Sequence, residues 1–200
     1  IKEKYGDKAK TEIEYAASDF KIEDTIADED VVITISHLGY IKRTALSEFK
    51  AQGRGGVGSK GSDSRDEDFI ENIYPATMHN TMLLFTQKGK CYWLKVYEIP
   101  EGSKSSKGRA IQNLLNIDSD DKVNAFIRVK GLEDKEYINS HYVIFGTKNG
   151  IIKKTVLEAY SRPRQNGVNA ITIREDDDVI EVRLTDGNSE VIMANRNGRA

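Results

Sequence analysis

The chain has 200 residues with a formal charge of −2, 38% hydrophobic and 31% charged residues, three prolines and one cysteine. No run approaches the roughly 18 apolar residues of a membrane span, and the first 30 carry no apolar signal core. The single Cys91 excludes an internal disulfide and a cysteine-rich metal site, so a reducing compartment, by default the cytoplasm, is expected.

Residues 1–24 are rich in Lys and Glu with Ala16 and Ala17, and read as a helical or irregular linker from an upstream region. From there the charge alternates in blocks: acidic over 1–30, basic over 31–62, acidic over 63–81, basic over 82–116, acidic over 117–141, basic over 142–174 and acidic over 175–200. The apolar pattern repeats in step. Val31 to Ser36, Met82 to Thr86 and Tyr142 to Thr147 are β-rich runs, each followed by a short turn ending in Gly39, Gly89 or Gly150 and by a second β-rich run. Glycine as the last loop residue suits a hairpin that needs a positive φ there.

Each unit continues with an apolar segment (Leu46 to Phe49, Val96 to Ile99, Val156 to Tyr160), a basic glycine-containing loop and an acidic cluster. A further β-like run follows: Phe69 to Tyr74, Val123 to Val129 and Val179 to Leu184. Counting the apolar segment as β gives four strands per unit, which predicts an all-β, propeller-like array of four-stranded blades. Units are expected at about 25–80, 81–140 and 141–188, with a fourth hairpin starting over 189–200, hence a partial disc.

Gln52-Gly53-Arg54-Gly55-Gly56-Val57-Gly58 places four glycines in seven residues. A dinucleotide fold needs a hydrophobic strand before such a motif and a helix after it, and neither pattern is present; the Ser59-Lys60 order also fails a P-loop. What remains is either a solvated connection or a loop of low bulk in which backbone N–H groups, Arg54 and Lys60 approach a phosphate backbone. His37, His79, His141 and Cys91 show no metal-ligand spacing, and Asp118-Ser119-Asp120 lacks the glycine of a calcium loop. Tyr92, Trp93 and Tyr97 read as core or blade-interface residues.

The glycine-rich heptapeptide resembles the signature box of the C-terminal domain of the DNA gyrase A subunit, whose pattern is Gln, basic, Arg, Gly, Gly, basic, Gly. Asp30-Val31-Val32-Ile33-Thr34, Leu46-Ser47-Glu48-Phe49, Glu67-Asp68-Phe69-Ile70, Lys95-Val96-Tyr97 and Lys153-Lys154-Thr155-Val156-Leu157 extend the likeness over nearly the whole chain. Gly53 and Val57 depart from the pattern, standing where the family has basic residues. The resemblance implies a β-pinwheel whose basic rim wraps double-stranded DNA, with no catalytic residue and no cofactor in this chain. It implies a holoenzyme, a type II topoisomerase built from an A-subunit dimer with the gyrase B subunit, in which ATP and Mg support negative supercoiling.

The expected DNA contacts are the box residues, Lys60, the hairpin cations Lys42, Arg43, Lys88, Lys90, Lys148, Lys153 and Lys154, and the box-like loops with Lys104, Lys107, Arg109, Arg162 and Arg164. Edge lysines that merely discourage aggregation are the alternative for such residues. Alternatives for the chain as a whole are the C-terminal domain of the A subunit of topoisomerase IV, a propeller-type protein-interaction scaffold, and a propeller enzyme with a central site. Retention of Gln52, Arg54, Gly55, Gly56 and Gly58 favours gyrase over topoisomerase IV.

Overall fold

The computed structural model describes residues 21–49, 68–194 and 196. The box at 52–58, Lys60, most of the 1–24 segment and the last residues of the fourth repeat lie outside them. Three hairpins organise the chain: β1 (Asp30–Ser36) with β2 (Tyr40–Ala45), β4 (Thr81–Thr86) with β5 (Lys90–Lys95), and β8 (Tyr142–Thr147) with β9 (Ile152–Val156). Gly39, Gly89 and Gly150 have φ of +82°, +85° and +83°, a conformation costly for side chains with a Cβ. In each turn the glycine N–H donates to the carbonyl of Ser36, Thr86 or Thr147. The hydroxyl of that same residue accepts from the N–H of Tyr40, Lys90 or Ile151 at 3.1 Å.

The third strand of each unit, β3 (Ile70–Thr77), β7 (Val123–Val129) or β11 (Val179–Thr185), returns antiparallel to the first, with a register shift near the turn end. The fourth strand differs from the one expected. Leu46–Glu48, Val96–Glu98 and Leu157–Tyr160 are short 3-10 turns, which bend the chain out of the sheet rather than extending it. The fourth strand comes instead from the basic loop of the next unit. β6 (Arg109–Ala110) pairs with β2, and β10 (Val168–Asn169) pairs with β5, giving sheet orders β3-β1-β2-β6, β10-β5-β4-β7 and β11-β8-β9. Each donated strand starts at a glycine of positive φ pressed on the receiving strand. A Cβ on Gly108 (φ +79°) would lie 2.4 Å from the Ile41 carbonyl oxygen, and one on Gly167 (φ +69°) 2.9 Å from that of Cys91.

Two apolar layers join the sheets, and β4 serves both. Met82 and Leu84 pack towards Ile33, Ile35 and Ile41 of the first unit, while Leu83 and Phe85 pack towards Val143, Phe145 and Leu157 of the third. All six residues of β4 are therefore buried, and its sequence TMLLFT is an unbroken run rather than an alternation. Phe85 meets Phe145 and Tyr160 edge-on, at centroid distances of 5.2 and 5.8 Å. Tyr92 lies in the first layer, and Trp93 packs on the second while its indole N–H donates to the Tyr160 carbonyl at 2.8 Å.

A short helix, α1 (Lys135–Ser140), precedes the third hairpin; the side chain of Asp134 caps it by accepting from the N–H of Glu136 and Tyr137. Residues 190–194, where the sequence pattern places the start of a fourth hairpin, are described without strand structure.

Candidate nucleic-acid interface

Strand donation fixes where the basic loops sit. The loop between Ile99 and Gly108 crosses the edge of the first sheet, held by backbone bonds from Arg43 N–H to the Pro100 carbonyl (3.0 Å) and from Gly102 N–H to the Arg43 carbonyl (2.9 Å). Lys107 on it and Arg109 just after it are exposed, and Lys104 sits over the Phe49 ring at 4.5 Å. The corresponding loop of the third unit crosses the second sheet and exposes Arg162 and Arg164, with Gly167 N–H closing a turn on the Arg164 carbonyl. Among the described residues no acid lies within ion-pair distance of Lys104, Lys107, Arg109, Arg162 or Arg164, and the pieces carrying them occupy equivalent places on consecutive sheets.

Two further expected contacts lie on β9. The Lys153 Nζ donates to the Ala170 carbonyl at 2.6 Å, and the Lys154 Nζ lies 4.0 Å from the Tyr142 ring centroid; both side chains are exposed.

The cations at the hairpin turns behave differently. Lys88 pairs with Asp120, Lys90 with Asp118 at 2.7 Å, and Lys148 approaches Asp178 at 4.0 Å. The hydrogen bonds to Asp120 and Asp118 raise the Lys88 and Lys90 pKa values, and the bond from Lys88 lowers that of Asp120. The first hairpin has no lysine there; His37 stacks on Phe69 and lies 3.5 Å from Glu71.

Lys42 and Arg43 depart from their expected role on the rim. Lys42 is 2% exposed, and its ammonium donates to the carbonyls of Ser103, Lys104 and Ser106 at 2.9, 2.7 and 2.8 Å. An ammonium has three donors, and three carbonyls of the protein accept from it there. Arg43 is mostly buried, donates from Nε to the Ile99 carbonyl at 2.7 Å and pairs with Glu101 at 3.2 Å.

The acidic clusters contain a device that the charge pattern did not reveal. Asp68 Oδ1 accepts from the N–H of Leu38 and Phe69, Asp121 Oδ1 from Lys88 and Lys122, and Asp177 Oδ1 from Asn149 and Asp178, at 2.9–3.2 Å. In each unit one carboxylate thus clasps the hairpin turn to the strand that returns beside it. A backbone bond doubles the clasp: His37 to Phe69, Gln87 to Lys122 and Lys148 to Asp178. The available signal was an aspartate one or two residues before each returning β run.

Among the described residues no group of three or more His, Cys, Asp or Glu side chains is placed to hold a metal ion. His79 Nε2 lies 2.7 Å from the Ile26 carbonyl and His141 Nδ1 2.9 Å from that of Tyr137, so both are engaged by backbone. No helix among the described residues is long and apolar enough to cross a membrane.

Comparison with known proteins places these features in a family. The family model described as DNA gyrase C-terminal domain, beta-propeller, matches residues 30–77, 80–130 and 141–186, three stretches that each contain one hairpin and its returning strand. The DNA gyrase A subunit of Haemophilus influenzae is 40% identical over 199 residues, covering 100% of this chain and 22% of that protein. The DNA gyrase A subunit of Clostridium acetobutylicum is 42% identical over 200 residues, covering 100% of this chain and 24% of that protein. The chain therefore spans about a fifth to a quarter of the length of these curated relatives. Among solved structures, the C-terminal domain of DNA topoisomerase IV matches 81% of this chain and 47% of its own, at 31% identity and a TM-score of 0.65. A DNA gyrase A C-terminal domain matches 78% of this chain and 48% of its own, at 24% identity and a TM-score of 0.60, and so shares the fold.

Proposed function

The chain belongs to the DNA gyrase C-terminal domain, beta-propeller family, and on that premise we propose that it binds and wraps double-stranded DNA and carries out no chemistry itself. The observation that carries this reading is the equivalent placement of two basic loops on consecutive sheets, with Lys104, Lys107 and Arg109 on one, Arg162 and Arg164 on the next, and no acid paired to any of them among the described residues. Such a row suits a regular phosphate backbone better than a base edge, because phosphate contacts position a duplex without reading its sequence.

Smooth bending of 20–30 base pairs costs about 1–6 kcal/mol. Counterions released as each phosphate is neutralised offset that cost, and they make affinity fall steeply with salt. The box holds the corresponding place in the sequence repeat, with Arg54 and Lys60 as its cations; Gly53 and Val57 leave it two cations short of the family pattern. Lys153 and Lys154 extend the row along β9.

In the complete protein this module would hand a wrapped segment to the strand-passage machinery. On this proposal it would work in a cytoplasmic holoenzyme with an A-subunit dimer, the gyrase B subunit, ATP and Mg, and would need no cofactor in the module itself. The direct test is duplex binding by fluorescence anisotropy between about 50 and 200 mM salt, where several phosphate contacts give a steep log–log dependence. Binding that ignores salt, or no binding at the lowest salt, would turn the reading towards a protein-interaction scaffold.

A further inference from the structure

The carbonyls that enclose Lys42 belong to the following unit, sixty or so positions along the chain (separations of 61 to 64). Beside them the Thr44 hydroxyl donates to the Gly102 carbonyl at 2.7 Å and Arg43 Nε to the Ile99 carbonyl at 2.7 Å. The segment so held, Glu101-Gly102-Ser103-Lys104-Ser105-Ser106-Lys107-Gly108, has no apolar side chain of its own. Ordering it costs backbone entropy. The segment offers no apolar packing of its own to offset that cost, and the bonds from Lys42 and Thr44 to four of its carbonyls work against it.

We propose that Lys42 is a positioning residue that fixes this loop in the conformation presenting Lys104, Lys107 and Arg109 to a phosphate backbone, while itself touching no DNA. The inference rests on the DNA-wrapping reading for its consequence, but not for the hydrogen bonds themselves. The same hairpin position, three residues after the turn glycine, also meets a basic loop in the other units, by ring packing in the second and by an ammonium bond to its own unit's loop in the third. Tyr92 packs its ring against Gly167, where a Cβ would lie 2.9 Å from it, and Lys153 donates to the Ala170 carbonyl.

The test uses Lys42→Met, which keeps the stem and removes the ammonium, and Thr44→Val, which removes one neighbouring bond without touching Lys42. Without DNA, amide exchange over 101–108 should quicken about tenfold in Lys42→Met and a few-fold in Thr44→Val, while β4 and β7 stay protected. The slope of log affinity against log salt should become shallower by about 0.9 for each phosphate that is no longer neutralised, up to three phosphates. Adding Lys42→Met to a Lys104→Ala, Lys107→Ala, Arg109→Ala chain should cost no further affinity. Unchanged exchange in both variants overturns the proposal, and so does an affinity loss that adds in full on the triple background. If the unaltered chain shows no salt-dependent duplex binding, the DNA reading is what fails, and the exchange measurement still decides whether Lys42 holds the loop.

Discussion

Two sets of cations sit at the edges of the sheets, and they differ in what faces them. At the hairpin turns Lys88, Lys90 and Lys148 each meet an aspartate from the connection leading into the returning strand. On the donated loops Lys107, Arg109, Arg162 and Arg164 are exposed, with no such partner among the described residues. Both sets look alike in the sequence, as Lys or Arg near a glycine. A cation's attraction for a polyanion depends on the charge already beside it, and of the two sets it is the turn cations that have an aspartate within ion-pair distance.

The largest expected effect separates the two sets directly. Alanine at Lys107, Arg109, Arg162 and Arg164 together should flatten the salt dependence of duplex binding by about 3–4 slope units. Alanine at Lys88, Lys90 and Lys148 should change it by less than about one. Equal losses from the two sets, measured by anisotropy titrations, would erase the distinction.

Next in size is the attachment of the loop. Gly108→Ala places a Cβ against the Ile41 carbonyl at a φ of +79°, so it should destabilise the fold by about 2–4 kcal/mol in urea titration. Gly39→Ala at a turn of similar φ meets open space and should cost about 1 kcal/mol. Comparable costs at both sites would mean that the donated strand is not pressed on β2.

A smaller effect sharpens the contrast from the other side. Asp118→Asn with Asp120→Asn releases Lys88 and Lys90 and should tighten low-salt duplex binding about threefold, an advantage that disappears as salt screens it. No gain would show that the turns lie away from the DNA path altogether.

The smallest concerns pH. Burial alone would raise the Asp177 carboxyl, but the N–H of Asn149, the Thr147 hydroxyl and the N–H of Asp178 hold it below its ordinary 3.8. A carboxyl depressed by folding contributes stability above its unfolded value, and that contribution disappears as pH falls through the lower, folded one. Asp177→Asn should therefore lower the thermal midpoint at pH 6, with the gap to the unaltered chain closing as pH falls below about 4. A gap that persists undiminished to pH 2 would assign the clasp to shape rather than charge.

The hairpins were legible because their signals are local: alternating or continuous apolar runs and a glycine where the turn requires positive φ at residues 39, 89 and 150. The fourth strand was not, since Arg109–Ala110 and Val168–Asn169 are two-residue pieces of polar loops that become strands only against a neighbouring unit. Leu46, Val96 and Leu157 carried the right apolar signal for a strand and instead begin 3-10 turns, an ambiguity that short apolar runs always leave. Of the candidate site, the loop arginines and lysines stand out in the sequence as exposed-type cations beside glycines, but Lys42 looks the same as they do. Its difference lies in three carbonyls contributed by the next unit, which no local pattern encodes.

Wrapping along the loops is tested most directly by topology. Relaxed closed-circular plasmid is incubated with the chain and a nicking-closing topoisomerase, deproteinised, and resolved on a gel at two salt concentrations. The expected result is a linking-number shift at low salt that survives alanine at Lys88, Lys90 and Lys148 and disappears with alanine at Lys107, Arg109, Arg162 and Arg164. A shift carried equally well by the loop-deficient chain, or no shift where the unaltered chain binds the plasmid, would contradict it.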